Sequence, residues 1–250
     1  MGKIIAVVNQ KGGVGKTTTA VNLTAALTEL GKKVLLCDFD PQANATSGLG
    51  LNKRKLHHSI YDVIVNDVSV AEVVQSTKFG DVLPATADLA GAAVELLTMP
   101  EPNKQLSKAL EQLRSRYDYI LIDCPPSLEM LTLNGLAAAD GILVPVQCEY
   151  YALEGLTDLM NTLRMVKMRI NPRLEIFGVI LTMFDGRTNF SMQVAQEVRR
   201  HFPGKVYASA IPRNVRLAEA PSHGLPVTAY DKHSRGALAY KAVAEEIIRK

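Results

Sequence analysis

The sequence has few cysteines and no long apolar run, and both absences narrow the possible protein classes. The 250 residues include only three cysteines, Cys37, Cys124 and Cys148, at spacings that match no zinc pattern. Three cysteines cannot form a disulfide framework, which favours a reducing cytoplasm. No apolar run approaches the roughly 18 residues that cross a bilayer, and the five apolar residues between Lys3 and Asn9 are too few for a signal peptide. We therefore expect a soluble cytoplasmic protein.

The net charge is only +3, but the charges are distributed unevenly along the chain. Residues 1–157 carry 13 Lys and Arg against 17 Asp and Glu, whereas residues 158–219 carry 10 against 5. A basic stretch of this kind is typical of a face that binds a polyanion, although such an excess also arises by chance. Charge alone therefore leaves both interpretations open.

Short β-branched apolar runs alternate with helical patterns along the chain, which indicates a parallel sheet with helices on both faces. The apolar runs predict strands at Lys3–Val8, Lys33–Cys37, Asp81–Leu83, Tyr119–Ile122, Gly141–Val146, Glu175–Thr182 and Val206–Ile211. Helical periodicity predicts helices at Lys16–Leu30, Leu153–Met168, Phe190–His201 and Ser234–Arg249, with short helices within Leu56–Thr77. We therefore expect one α/β domain over residues 1–250, built on a single doubly wound, mainly parallel β-sheet flanked by helices.

A glycine-rich loop joins the first predicted strand to the first predicted helix, as in the P-loop of nucleotide triphosphatases. It contains Gly12, Gly13, Val14 and Gly15, and glycines allow backbone N–H groups to approach phosphate oxygens closely. The first turn of the following helix adds the positive end of its dipole. The loop therefore predicts a site for nucleotide phosphates.

Three residues after the loop glycines have the chemistry to complete such a site. Lys16 can reach the β- and γ-phosphates, the Thr17 hydroxyl can ligate Mg²⁺, and Thr18 is placed for the α-phosphate. The standard motif has a glycine where this chain has Gln10, and a second lysine, Lys11, precedes the glycine pair. The loop is therefore a modified Walker A motif.

Aspartates follow two of the predicted strands, at the sheet edge where ligands of parallel sheets bind. Asp38 and Asp40 follow the second strand, and Asp123 closes the apolar strand that begins at Tyr119. We predict that Asp123 contacts Mg²⁺ as in a Walker B motif, that Asp38 holds the metal's water shell, and that Asp40 orients or activates the attacking water. A solvated acidic turn is the alternative for Asp38 and Asp40, and a capping residue for Asp123.

The absence of a guanine-recognition motif indicates which base the nucleotide carries. Guanine-specific enzymes usually carry an N-K-x-D signature, and the nearest segment here, 52–55, lacks the aspartate. The sequence therefore favours ATP, bound together with Mg²⁺.

With these motifs in place, the chain resembles the deviant Walker A ATPases, and specifically the short ParA/Soj chromosome- and plasmid-partitioning ATPases. The resemblance runs nearly end to end, and the P-loop and the second acidic motif are those of the superfamily. Two later segments are similar to Soj-type sequences and narrow the resemblance to partitioning proteins. The motifs that carry it lie at 11–18, 38–42, 44–50, 145–155 and 211–222.

The resemblance implies a sandwich dimer in which Lys11 reaches across the interface to phosphates bound by the second subunit. A cation supplied in trans neutralises phosphate charge only when the dimer forms, which couples nucleotide state to assembly. Lys11, Lys16 and Asp40 then form the catalytic set, and Pro212 and Asn214 occupy positions that contact adenine in relatives. The resemblance further implies slow intrinsic hydrolysis that a ParB/Spo0J-type partner stimulates.

Members of this family also bind DNA without sequence preference when they are dimeric, which implies a nucleoid-associated protein. The basic residues that match this role are Arg187, Arg216, Arg213 and Lys205. Phosphate contacts of this kind are salt-sensitive and independent of sequence, and no helix-turn-helix pattern indicates base readout. The pair Tyr150 and Tyr151 is interpreted as packing at a strand end rather than as a platform for base stacking.

Two related classes are the alternatives. A MinD-like cell-division ATPase binds membrane through an added amphipathic C-terminal helix, whereas this chain ends at Lys250 in a helix with Glu245 and Glu246. A nitrogenase-type iron protein needs cluster-binding cysteines, and Cys124 and Cys148 are not placed as that family requires. We therefore expect no membrane binding, and the MinD-like protein remains the main alternative.

Overall fold

The computed structural model describes residues 1–149 and 152–250, with the backbone alone for residues 152–155 and 157. The strands are β1 Lys3–Val7, β2 Val34–Asp38, β3 Gln75–Thr77, β4 Gly80–Leu83, β5 Tyr119–Asp123, β6 Gly141–Gln147 and β7 Glu175–Thr182. The α-helices are α1 Lys16–Glu29, α2 Asn44–Gly48, α3 Ile60–Val65, α4 Val70–Val73, α5 Leu89–Glu95, α6 Gln105–Glu111, α7 Met130–Ala138, α8 Ala152–Arg169, α9 Asn189–His201, α10 Val215–Glu219, α11 Val227–Tyr230 and α12 Arg235–Arg249. Short 3₁₀ helices cover Leu96–Thr98, Arg114–Arg116 and Ala220–His223.

The described strands form one sheet in the order β3-β4-β2-β5-β1-β6-β7. All neighbouring pairs are parallel except β3 and β4, which pair antiparallel at one edge. Strands β2 and β5 are buried along their whole length, as continuous apolar runs covered on both faces should be. The prediction of a doubly wound, mainly parallel α/β sheet is confirmed.

Helices cover both faces of the sheet, and each layer has its own apolar core. On one face, α1, α2, α11 and α12 pack against the sheet around Leu23, Leu27, Tyr240 and Ile247. On the other face, α3 to α9 pack around residues such as Leu110. The helix ends match their sequence signals, since Gly31 follows α1 with a φ of 79° and the Ser234 hydroxyl accepts a hydrogen bond from the backbone of α12.

The prediction of a strand at Val206–Ile211 is wrong, because this segment does not form a regular strand. This segment runs beside β7 and makes only isolated bridges, at Val206 and Pro212. The backbone N–H groups of Tyr207 and Ile211 still donate to β7. Those of Ala208 and Ser209, which lie between them, donate to the Glu246 carboxylate instead, and this interrupts the ladder. The segment therefore leaves the sheet and crosses towards the loop after β7.

The strand register brings the acidic motifs together. Asp38 at the end of β2 and Val7 at the end of β1 both pair with Asp123 at the end of β5. Since α1 begins just after β1, the glycine-rich loop and both aspartates share the carboxyl edge of the sheet. In the part of the chain that the structure describes, no helix is both long and apolar enough to span a bilayer.

Candidate nucleotide site

The loop between β1 and α1 has the backbone shape that its glycines allow. Gly13 and Gly15 adopt φ values of 74° and 91°, in the left-handed region that side chains avoid. A Cβ atom built at Gly12 or Gly13 would meet nothing within 4 Å, so this part of the loop borders open space. The loop therefore has room for a group outside the protein to approach its backbone.

Hydrogen bonds to two neighbouring strands, β6 and β7, anchor this loop. The Asn9 amide donates a hydrogen bond of 2.8 Å to the Pro145 carbonyl of β6, and its oxygen accepts one of 3.0 Å from the Lys11 backbone N–H. The Thr182 hydroxyl of β7 donates a bond of 2.9 Å to the Val14 carbonyl. A fixed loop loses little conformational entropy when it binds a ligand.

Lys16, at the start of α1, is a buried cation. Its ammonium donates a hydrogen bond of 3.1 Å to the Lys11 carbonyl. Burial lowers the pKa of Lys16, and the nearby charge of Asp123 opposes this effect. A bound anion would stabilise this buried ammonium strongly, because few water molecules reach it, and this agrees with its predicted role in binding phosphate.

Lys11 is oriented differently from Lys16. Its ammonium forms an ion pair with the Glu149 carboxylate, which follows β6. About a third of each side chain is exposed, 33% for Lys11 and 36% for Glu149. The second lysine of the loop therefore lies at the rim of the site and contacts a residue of its own chain.

Asp123 is fully buried, and neither of its carboxylate oxygens accepts a hydrogen bond within the described residues. Burial and the charge of Asp38 raise the pKa of Asp123 well above its ordinary value. The Thr17 hydroxyl faces this carboxyl and favours its charged form, at a geometry short of a hydrogen bond. A buried acceptor without a donor fits a bound cation.

These residues fit Mg²⁺ better than a metal that needs a cage of protein ligands. Mg²⁺ is usually held by one or two oxygen ligands of the protein together with phosphate oxygens and water. Thr17 and Asp123 supply such ligands, and no group of three His, Cys, Asp or Glu side chains arranged for a metal ion occurs in the described residues.

Asp38, which is predicted to hold the metal's water shell, accepts three hydrogen bonds from neighbouring residues. Its Oδ2 accepts bonds of 2.7 Å from both the backbone N–H and the hydroxyl of Thr46, and its Oδ1 accepts one of 3.3 Å from the Asp40 N–H. Burial raises the pKa of Asp38 to about 6, although the Thr46 bonds oppose this. The metal role of Asp38 stays a prediction, and the contacts show a structural role in holding the loop that carries Asp40.

Asp40 lies in a tight turn after β2. Its Oδ1 accepts a hydrogen bond of 2.9 Å from the Gln42 N–H, and its carbonyl accepts one of 2.8 Å from the Ala43 N–H. Ala43 adopts a φ of 53°, which closes the turn before α2. The structure therefore places Asp40 in a fixed loop beside Asp38, close enough to Lys16 for its charge to oppose the lowering of that lysine's pKa by burial.

Pro212 and Asn214 line a cleft of about 250 Å³ that also contains Gly15 and Thr18. The structure thus brings both predicted adenine contacts next to the phosphate loop. The Asn214 oxygen accepts a bond of 2.8 Å from the Arg216 N–H, so it caps α10 as well. The remaining lining includes Met183 and Tyr240, which no sequence motif indicated, together with two further residues of the 211–222 motif, Leu217 and Ala218.

The structure separates the four predicted DNA-binding residues. Arg187 and Arg216 follow β7 on the carboxyl side, and Arg213 lines the cleft beside the loop. Lys205 lies towards the opposite edge, where it lines a cavity together with Glu175, the first residue of β7. A shared surface therefore joins at most the three arginines.

Arg187 and Arg216, two of the four predicted DNA-binding residues, form ion pairs with carboxylates of their own chain. Arg187 is 89% exposed and donates two hydrogen bonds, of 2.9 and 2.7 Å, to Asp185. Arg216 forms ion pairs of 2.8 Å with Glu219 and 3.3 Å with Asp231. Exposed pairs of this kind contribute little to stability, so the guanidinium groups remain accessible to a competing anion.

Cys37, Cys124 and Cys148 are buried free thiols, as expected for packing residues. Burial raises the pKa of the Cys124 thiol, which disfavours the reactive thiolate. The interpretation of Tyr150 and Tyr151 falls outside the described residues.

Comparison with known proteins gives consistent findings across the chain. A family described as "AAA domain" matches residues 2–176. The chain is 55% identical over 249 residues to the sporulation initiation inhibitor protein Soj of Bacillus subtilis, covering 99% of this chain and 98% of that protein. It is 50% identical over 250 residues to the chromosome partitioning protein ParA of Caulobacter vibrioides, covering 98% and 94%.

Solved structures share the fold over the whole chain. Cobyrinic acid a,c-diamide synthase from Mycobacterium smegmatis, with bound ADP and magnesium, superposes with a TM-score of 0.87 at 40% identity, covering 100% of this chain and 95% of that one. The cell division ATPase MinD from Pyrococcus furiosus gives a TM-score of 0.82 at 30% identity, covering 100% and 99%.

Proposed function

The chain belongs to the ParA/Soj family of P-loop partitioning ATPases, and we propose that ATP switches it between a monomer and a dimer that binds DNA. One observation carries the proposal. The buried Lys16 ammonium lies beside the buried Asp123 carboxyl group, whose oxygens accept no hydrogen bond from any residue that the structure describes, and both border an open glycine loop. This arrangement of opposite charges fits the phosphates of a nucleotide and its magnesium ion.

ATP binding uses the residues of the loop and the first turn of α1. The backbone from Gly12 to Thr18 surrounds the phosphates, and Lys16 exchanges its bond with the Lys11 carbonyl for phosphate oxygens. Thr17 and Asp123 would hold Mg²⁺, with Asp38 contributing to its water shell, and the ion would supply charge neutralisation at the phosphates. The adenine occupies the cleft lined by Pro212 and Asn214.

Hydrolysis requires a water molecule in line with the γ-phosphate. Asp40 orients or activates that water, and its turn is held by the Asp38 and Thr46 contacts. We propose that this set is slow on its own, and that a ParB/Spo0J-type partner organises it. After phosphate is released, the dimer dissociates.

Dimerisation depends on Lys11. Its position at the rim of the loop supports a role in trans, where it contacts phosphates bound by the second subunit. Those phosphates already contact Lys16 of the partner subunit, so two lysines, one from each subunit, neutralise the negative charge of one set of phosphates. The dimer therefore forms in the ATP state and weakens after hydrolysis.

DNA binding uses the arginines beyond the carboxyl edge. Arg187, Arg213 and Arg216 contribute phosphate contacts, which release counterions and give affinity without sequence preference. Lys205 adds to this surface only if the DNA also reaches the opposite edge of the sheet. We propose that the protein acts as one domain over residues 1–250, in the cytoplasm on the nucleoid.

The experiment that tests this function is a DNA gel shift with ATP, ADP or no nucleotide, run beside sedimentation with anionic liposomes. A salt-sensitive shift only with ATP supports the proposal. The likeness to P. furiosus MinD supports a second candidate, a membrane-associated cell-division ATPase. ATP-dependent sedimentation with liposomes and no DNA shift would favour that candidate instead.

A further inference from the structure

The Lys11 side chain has a defined position before any dimer forms. Its ammonium is paired with Glu149, its backbone N–H donates to Asn9, and its carbonyl accepts from the Lys16 ammonium. Glu149 lies two residues after β6, whose Pro145 carbonyl also binds Asn9. Contacts of both its backbone and its side chain therefore hold Lys11 to β6 and the segment that follows it in its own chain.

These contacts compete with the phosphates of the proposed active dimer. A lysine ammonium paired with a carboxylate of its own subunit must give up or share that contact to reach phosphates bound by another subunit. The bond from Lys16 to the Lys11 carbonyl competes in the same way with phosphates bound by the same subunit. Nucleotide binding therefore affects the backbone of Lys11, and dimerisation affects its side chain.

We propose that Glu149 is a positioning residue that retains Lys11 in the monomer and so sets the threshold for ATP-driven dimerisation. This inference rests on the proposed function, in which Lys11 acts in trans. A subunit without bound nucleotide presents no phosphate to compete with Glu149, and Lys11 stays with its own chain. An ATP-bound subunit presents several phosphate charges, which attract the ammonium more strongly than one carboxylate does.

The size of the effect follows from the exposure of the pair. A partly exposed ion pair changes an equilibrium by about 1.4- to fivefold. A dimer contains two such pairs, so Glu149→Gln should tighten the dimer about two- to twenty-fivefold. The gain should shrink at high salt, because exposed charges are screened. Affinity of the monomer for ADP should not change, because ADP binding leaves Lys11 in its own chain.

The test is sedimentation equilibrium of the full chain with Mg²⁺ and a non-hydrolysable ATP analogue, at low and high salt. Glu149→Gln should dimerise more tightly than the wild type, and Glu149→Asp, which keeps the charge, should restore part of the wild-type behaviour. Glu175→Gln is the matched control, because it removes an exposed carboxylate at the opposite sheet edge and should change nothing. Circular dichroism melting of each variant checks that it is folded.

Three outcomes separate the possibilities. A Glu149→Gln dimer that is equal to or weaker than the wild type overturns the positioning role. Glu149→Gln combined with Lys11→Ala should behave as Lys11→Ala alone, and any further change overturns the link between the two residues. If the wild type itself stays monomeric with the analogue, the proposed function fails rather than the role of Glu149.

Discussion

Replacing Asp123 by asparagine should stabilise the nucleotide-free protein and at the same time abolish its response to magnesium. The carboxylate is fully buried, and neither oxygen accepts a hydrogen bond in the described residues. A buried carboxylate whose oxygens accept no hydrogen bond costs about 1–3 kcal/mol, and the raised pKa of Asp123 reflects this cost. Asparagine keeps the shape and removes the charge, so the free energy of unfolding should rise by about 1–3 kcal/mol. For a chain of this size, that corresponds to a melting temperature about 2–12 °C higher.

The assay is thermal unfolding in a chelator and again with Mg²⁺ and ATP. The wild type should gain stability from Mg²⁺ and ATP together, whereas Asp123→Asn should start higher and gain much less. Asp67→Asn serves as the control, because it makes the same chemical change at an exposed turn. A lower melting temperature for Asp123→Asn without nucleotide, or an undiminished gain from Mg²⁺ and ATP, refutes the reasoning.

Three further changes test Asp40, the DNA-binding surface and the segment beside β7. Asp40→Ala should trap an ATP-bound dimer, and undiminished phosphate release would reject Asp40 as the residue that orients water. Arg216→Glu should weaken DNA binding at least about tenfold and lower its salt dependence, with dimerisation unaffected; an unchanged gel shift would exclude this residue. Partial burial raises the pKa of Glu246, but hydrogen bonds from Ser209 and Ala208 outweigh this and hold the pKa below its ordinary value. The charged Glu246 carboxylate therefore stabilises the fold at neutral pH, and this stabilisation is lost as the pH falls below about 4.5. Glu246→Gln should cost about 1 kcal/mol at pH 7 and flatten the acid side of the unfolding profile; equal pH profiles would contradict this.

The phosphate loop and the acidic strand ends could be predicted because their signals are local. Gly12 to Thr18 lie in one continuous segment, and a buried parallel strand reads as an apolar run that ends at the ligand edge. Asp38 and Asp123 needed only the assumption that their strands are parallel. The register that pairs them then follows from the fold.

The rest depends on contacts between distant parts of the chain. Thr46 bonds to Asp38, and Glu149 pairs with Lys11 across 138 residues, with no local pattern that indicates either contact. Tyr240 reaches the cleft beside the glycine-rich loop from the last helix. The segment Val206–Ile211 has the composition of a strand, but its hydrogen bonds to the Glu246 carboxylate replace a ladder. Such competition between partners is decided by tertiary packing.

The surface charges illustrate the same limit. Arg187, Arg216 and Lys205 look equivalent as basic residues in a basic stretch of sequence. In the structure, the two arginines pair with carboxylates near the nucleotide edge, and Lys205 lies at the opposite edge. Their separation could not be foreseen, because it follows from the direction of β7.

The central claim is that ATP drives dimerisation through Lys11, and the mass of the protein in solution tests it most directly. Sedimentation equilibrium should be measured for the wild type and for Lys11→Ala, each with ATP and with ADP in the presence of Mg²⁺. The account predicts twice the monomer mass only for the wild type with ATP, while Lys11→Ala still binds ATP as a monomer. A Lys11→Ala protein that dimerises with ATP as tightly as the wild type would contradict it.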